Sequence, residues 1–122
     1  MDDIFYLSPA KLNTDCMCKI FQNVESIYVE SFRLSGVIQI NTGRQLINMT
    51  LMGALEFDKS AQEFIQTHEI ESIVCISHHK SCVKETLELA KMLLDRYGGW
   101  IGNDNDGFLP VFDAANISSF SY

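Results

Sequence analysis

The residues whose types are best suited to chemistry are His78-His79-Lys80-Ser81-Cys82. They join an apolar, β-branched run, Ser72-Ile73-Val74-Cys75-Ile76-Ser77, to a segment of helical period. Such a junction offers free backbone amides and the positive end of a helix dipole to an anion. A thiol in a first helical turn beside His and Lys is also a setting in which cysteine becomes a nucleophile. The plainer reading is a polar connection with a helix cap. Neither the glycines of a phosphate loop nor a CxxxxxR pattern accompanies it. The junction therefore supports an alternative: a small α/β enzyme or phosphate-ligand-binding protein using these five residues.

Metal chemistry finds less support. Cys16, Cys18, His78 and Cys82 are the available ligands. In a helix, Cys16 and Cys18 point about 200° apart. Cys16 is expected on the apolar stripe and Cys18 outside, with Lys11, Asp15 and Gln22, so the two cannot share an ion. Asn103-Asp104-Asn105-Asp106-Gly107 has the composition of a calcium loop, but in that register its first position is Gly102, which has no ligand. A plain acidic turn is the expectation. His68 is read as a packed histidine. No carboxylate pair, Ser-His-Asp order, dinucleotide fingerprint or basic-aromatic strip occurs. No catalytic residue, metal or cofactor is assigned, and a binding protein is favoured over an enzyme.

Charge points the same way. Sixteen acids stand against nine bases, a net charge of −7. Direct nucleic-acid binding needs clustered Lys and Arg and is disfavoured. The acids gather in two stretches. Glu56, Asp58, Glu63, Glu69 and Glu71 face Lys59 alone, and Asp104, Asp106 and Asp113 follow with no base after Arg96. An acidic surface steers basic partners. The candidate partner-binding residues are Glu56, Asp58, Glu63, Asp104, Asp106 and Asp113, with Trp100 as an aromatic anchor of the kind enriched at interfaces. For each acid taken singly, the ordinary reading is a solvated surface residue.

The elements that must position these residues follow from periodicity. Residues 1–122 are expected to form a single α+β domain, a mainly antiparallel sheet with about three helices packed on it. Ile4-Phe5-Tyr6-Leu7 reads as a strand and Ser8-Pro9 as a helix start, giving a helix from Pro9 to about Gln22. Strands follow over 27–33 and 37–40. Asn41-Thr42-Gly43-Arg44 is a turn, and Ile47, Met49 and Leu51 alternate on the return strand. Ser60 with Glu63 fits a capping box for a second helix whose inner side carries Ala61, Phe64, Ile65 and His68. The 72–77 strand reads as covered on both faces. The helix after it, Lys80 to Tyr97, carries Val83, Leu87, Ala90 and Leu94 on one stripe, widened by Leu93 and Tyr97. Gly98 stops it and Trp100-Ile101 returns to the sheet. Phe108 to Phe112 is a last strand, placed by Pro110 at an edge, and Ile117 to Tyr122 docks. An exposed edge strand near Pro110 also allows a third reading, a homo-oligomeric scaffold. The apolar runs are too short to span a bilayer. The acidic start and four cysteines outside any disulfide pattern suggest a reduced, cytoplasmic protein.

The stretch Leu89-Ala90-Lys91-Met92-Leu93-Leu94-Asp95-Arg96-Tyr97-Gly98-Gly99-Trp100-Ile101 resembles one in small bacterial immunity proteins, including the contact-dependent growth-inhibition type. There too an amphipathic helix ends in Gly-Gly-aromatic-aliphatic, with acidic residues after it. The size, the acidic balance and the lack of catalytic motifs are similar. The resemblance implies a cytoplasmic protein that binds and neutralises the toxic C-terminal domain of a secreted effector. It carries over no individual binding residue. A nuclease toxin has a basic cleft built for phosphates, which a carboxylate-bearing protein can fill, so the expected partner is a basic, nuclease-type domain.

Overall fold

A computed structural model describes residues 2–103 and 106–120, apart from the Asp106 side chain. Three α-helices lie against one sheet of order β2-β3-β4-β5-β1-β6. The strands are β1 (Asp2–Ser8), β2 (Tyr28–Phe32), β3 (Val37–Asn41), β4 (Leu46–Met52), β5 (Ser72–His78) and β6 (Trp100–Asn103). Every neighbouring pair is antiparallel. The helices are α1 (Thr14–Phe21), α2 (Lys59–Thr67) and α3 (Val83–Tyr97). The expected α+β class holds.

Strand pleating sends alternate residues to opposite faces. The first face takes Ile4 and Tyr6 of β1, Ile38 and Ile40 of β3, Ile47 and Met49 of β4, and Val74 and Ile76 of β5, all wholly buried. They pack with Met17, Cys18 and Phe21 of α1 and Leu89, Ala90, Leu93 and Leu94 of α3 in the larger core. The second face presents Phe5, Leu7, Ile73 and Trp100 to α2, through Ala61, Phe64 and Ile65, and to Phe57 and Phe108. Here β5 is covered on both sides, as its apolar run implies. The rings of Phe5, Phe57 and Phe108 meet edge-on at 5.2–5.5 Å.

Several boundaries depart from expectation. Ser8 does not start a helix. It remains in β1, paired with Ser72, and the Ser72 hydroxyl accepts the Leu12 N–H at 2.8 Å. Helix α1 begins later, where the Asn13 side chain accepts the Cys16 N–H. Its inner stripe is Thr14, Met17, Cys18 and Phe21, so Cys18 is buried and Cys16 only half-buried, the reverse of the expected placement. Helix α2 is capped by Asp58, whose Oδ1 accepts the Ala61 N–H at 2.8 Å, and not by Ser60. Residues 80–82 form a 3-10 turn, after which α3 buries Thr86, Leu89, Ala90, Leu93 and Leu94 while Val83 and Leu87 stay half-buried. Phe108 to Phe112 is not a strand. Residues 106–108 form a 3-10 turn, and Phe112 makes one two-bond bridge to Ile101. That bridge covers the outer side of β6, so the edge without a described neighbour is β2. Of the tail, Ile117 is buried and Phe120 lies 5.3 Å from the Phe112 ring, whereas Tyr122 is outside the described residues.

The Gly-Gly pair has local causes. Gly98 ends α3 through its N–H to the Leu94 carbonyl, and its own carbonyl accepts the buried Tyr6 hydroxyl at 2.8 Å. At Gly99, φ is +89° and an added Cβ would stand 2.1 Å from the Leu7 carbonyl oxygen. Only glycine lets β6 approach β1 there.

Candidate functional site

The strand-to-helix junction is disassembled by the fold. His78 is wholly buried on the first face, with its Nδ1 2.9 Å from the His79 carbonyl oxygen. Cys82 is buried beneath the start of α3, with its Sγ 4.0 Å from the Ser81 hydroxyl. His79, Lys80 and Ser81 are exposed, and His79 Nδ1 is taken up locally by the Ser81 hydroxyl at 3.0 Å. The cleft beside His79, about 470 Å³, is bordered by Asn41, Arg44, Leu46 and Asn48. Arg44 is engaged by Glu85 at 3.5 Å, and the buried Asn48 Oδ1 is an acceptor without a partner among the described residues.

Among the described residues no three of His, Cys, Asp and Glu converge on a point where they could hold a metal ion. His68 stacks on Phe64 at 4.0 Å and meets Trp100 edge-on at 5.0 Å. It is a packed ring, as its helical position suggests. Among the described residues no helix is long and apolar enough to cross a membrane.

The acidic residues are arranged differently. Glu56 and Asp58 are exposed on the path from β4 to α2, and Glu63 is exposed on α2. The Glu56 carboxylate accepts the Gly53 N–H at 2.6 Å and Asp58 caps α2. Both bonds are to backbone amides and leave the charge unneutralised. The ion pairs among the described residues are Arg33–Asp15, Arg44–Glu85 and Lys91–Asp95, none of which includes a candidate acid. The 106–108 turn packs on α2: a Cβ at Gly107 would stand 3.8 Å from Ser60 Cβ. Gly102 allows this, since a Cβ there would stand 2.6 Å from Phe108 Cβ. The backbone at residues 106–108 is thus brought against the helix that carries Glu63. Asp104 and the Asp106 side chain lie outside the described residues.

Two candidates sit apart. Asp113 follows the Phe112 bridge, exposed, with its Oδ1 accepting the Ala115 N–H at 2.9 Å. Trp100 is half-buried against Phe64 and His68, so it supports α2 more than it projects.

The sequence reading missed the free part of the second face. Helix α2 covers it over β5, β1 and β6 and reaches the end of β4, where Met52 packs against the same cluster, while β2, β3 and the rest of β4 contribute nothing to that cluster. Tyr28, Phe32 and Leu46 point outward there, 73%, 41% and 47% exposed. Alternation in Tyr28-Val29-Glu30-Ser31-Phe32 signals a strand, and its aromatics read as core until the edge position is known.

No protein-family model, curated protein or solved structure matches this chain.

Proposed function

We propose that the protein is a non-enzymatic inhibitor of the immunity type, which binds a basic toxin domain of the nuclease kind and occupies its phosphate cleft with carboxylates. One observation carries this reading. Glu56, Asp58 and Glu63 are all exposed before and on α2, none is ion-paired among the described residues, Lys59 is the one base among them, and the 106–108 turn abuts the same helix. Carboxylates so displayed match the Lys and Arg that a nuclease aligns for phosphate, and long-range attraction accelerates the encounter. A cytoplasmic site of action belongs to the same proposal.

Co-expression with the C-terminal domain of the protein encoded immediately upstream tests it. Growth inhibition by that domain should be relieved by this chain. Glu63→Lys should weaken the purified complex, and the association rate should fall steeply as salt is raised. A harmless upstream domain, or a complex indifferent to Glu63→Lys and to salt, overturns the reading.

A further inference from the structure

We infer that the outer edge of β2 is a docking site for an extended segment of another protein, which adds to the sheet as a further strand beside β2. The inference goes beyond the inhibitor reading and does not use the acidic residues around α2.

The two edges of the sheet are finished differently. Outside β6 the chain closes the ladder itself. The Ile101 N–H donates to the Phe112 carbonyl at 2.7 Å, and the Phe112 N–H donates back at 2.8 Å. Outside β2 no described strand lies. The five residues of β2 pair one to one with β3, from Tyr28 beside Asn41 to Phe32 beside Val37. In an antiparallel ladder alternate residues point N–H and C=O toward the neighbour, and the residues between them point theirs away. The outward groups of β2 meet no hydrogen-bonding partner among the described residues.

Strand edges that stay solitary carry guards, such as a Lys or Pro on the strand or a bulge. Tyr28-Val29-Glu30-Ser31-Phe32 contains neither Lys nor Pro, and its unbroken register leaves no bulge. Arg33, next along the chain, is drawn to Asp15 of α1 at 2.6 Å. Tyr28 and Phe32 are exposed, so an added strand would find aromatic neighbours as well as ladder groups.

The ladder selects the occupant. Unpaired backbone donors and acceptors at strand spacing are matched by another backbone in extended conformation. Glu30 disfavours a second copy. Two β2 strands paired over their full length about a two-fold axis would set Glu30 directly against its own equivalent, and like charges so placed are destabilising. A register shifted toward Arg33 runs into the 3-10 turn and gives up part of the ladder. A foreign strand with no acid at that position meets neither obstacle.

The test titrates ¹⁵N-labelled protein with a synthetic peptide copying residues 36–42, whose strand β2 already accepts on its inner side. The control is the same peptide with every amide N-methylated, which keeps the side chains and removes the donors. In the free protein, alternate amides of β2 should exchange freely with deuterium. The unmethylated peptide should shift Tyr28–Phe32 and slow those same amides, and the methylated peptide should do neither. Glu63→Lys should bind the peptide as wild type does. Equal binding of both peptides, shifts centred away from β2, loss of binding in Glu63→Lys, or no binding overturns the inference. So does protection of all the β2 amides in a free protein that sediments as a dimer, which assigns the edge to a second copy. The two proposals fail separately. An upstream domain that does not bind overturns the inhibitor reading and leaves the peptide result standing. A peptide that does not bind overturns the edge site and leaves the effect of Glu63→Lys on the upstream complex untouched.

Discussion

The two faces of the sheet are made by the same strands and meet different fates. On β3 and β4, Ile38, Ile40, Ile47 and Met49 are sealed under α1 and α3, while Gln39, Asn48 and Thr50 between them face outward, half-exposed. The fifteen-residue α3 and the eight-residue α1 close the first face, whereas the cluster under the nine-residue α2 takes in β5, β1, β6 and Met52 at the end of β4. Over β3 and most of β4 the packing is therefore one-sided, whereas β5 and β1 are packed on both faces. Charge is divided less sharply: α1 and α3 carry four bases and four acids, whereas Glu56, Asp58 and Glu63 stand around α2 with Lys59 as the one base among them.

The largest expected effect breaks this contrast if it fails. Met49→Ala should destabilise the fold by about 2–5 kcal/mol, because the α1–α3 core cannot collapse around the lost side chain. Thr50→Ala, one residue on and on the other face, should stay within about 0.5 kcal/mol. Denaturant unfolding of the pair checks it; equal losses would mean the second face is packed after all.

The next effect belongs to Tyr6, which ties the first-face core to the end of α3. Burial pushes its phenol up to about 12, against 10.0 for the free side chain. The unfolded chain therefore ionises first. The stabilisation is complete below pH 10.0 and is lost as pH rises toward about 12. A shift of that size corresponds to about 2–3 kcal/mol as an order of magnitude. Unfolding followed between pH 9 and 12 should show a steep alkaline decline (roughly that window, by linkage) that Tyr6→Phe flattens. An unchanged slope in the variant would place the alkaline titration elsewhere.

A smaller effect divides structure from recognition at Asp58. Asp58→Ala should cost about 1 kcal/mol by removing the α2 cap, whereas Asn caps nearly as well as Asp. Asp58→Asn should therefore keep the melting temperature and still weaken the complex with the upstream domain. Loss of neither stability nor affinity in Asp58→Asn would reduce this residue to a cap.

Much of the fold could be read from residue order. The alternation in 46–51, the apolar 72–77 run and the long helical stripe before Gly98 each have one physical solution, and each formed. The misplacements share a cause, which is that local signals were read without their partners in space. Ser8-Pro9 is a credible helix start, yet the Ser72 strand claims Ser8, so a helix counted from Pro9 turned Cys16 inward and Cys18 outward. Ser60 with Glu63 satisfies a capping pattern, but Asp58 lies nearer the point where Phe57 is pinned to Phe5 and Phe108. Of the candidate site, Glu56, Asp58 and Glu63 were readable from charge alone. The exposure of Tyr28 and Phe32 was not, since it depends on β2 being the sheet's edge, a property of strand order rather than of β2.

That dependence gives the finest test, because it should produce almost no change in stability. If β2, β3 and β4 are uncovered on this face, Tyr28→Ala and Phe32→Ala remove side chains that already meet water, and each should shift unfolding by no more than about 0.5 kcal/mol. Val29, on the same strand but turned toward the α1–α3 core, should respond more strongly when cut to alanine. A cost for Phe32→Ala as large as that for Val29→Ala would mean that something packs over this half of the face in solution. Stability held in Tyr28→Ala and Phe32→Ala, with a clear loss in Val29→Ala, would show that β2 holds to the protein through one side alone.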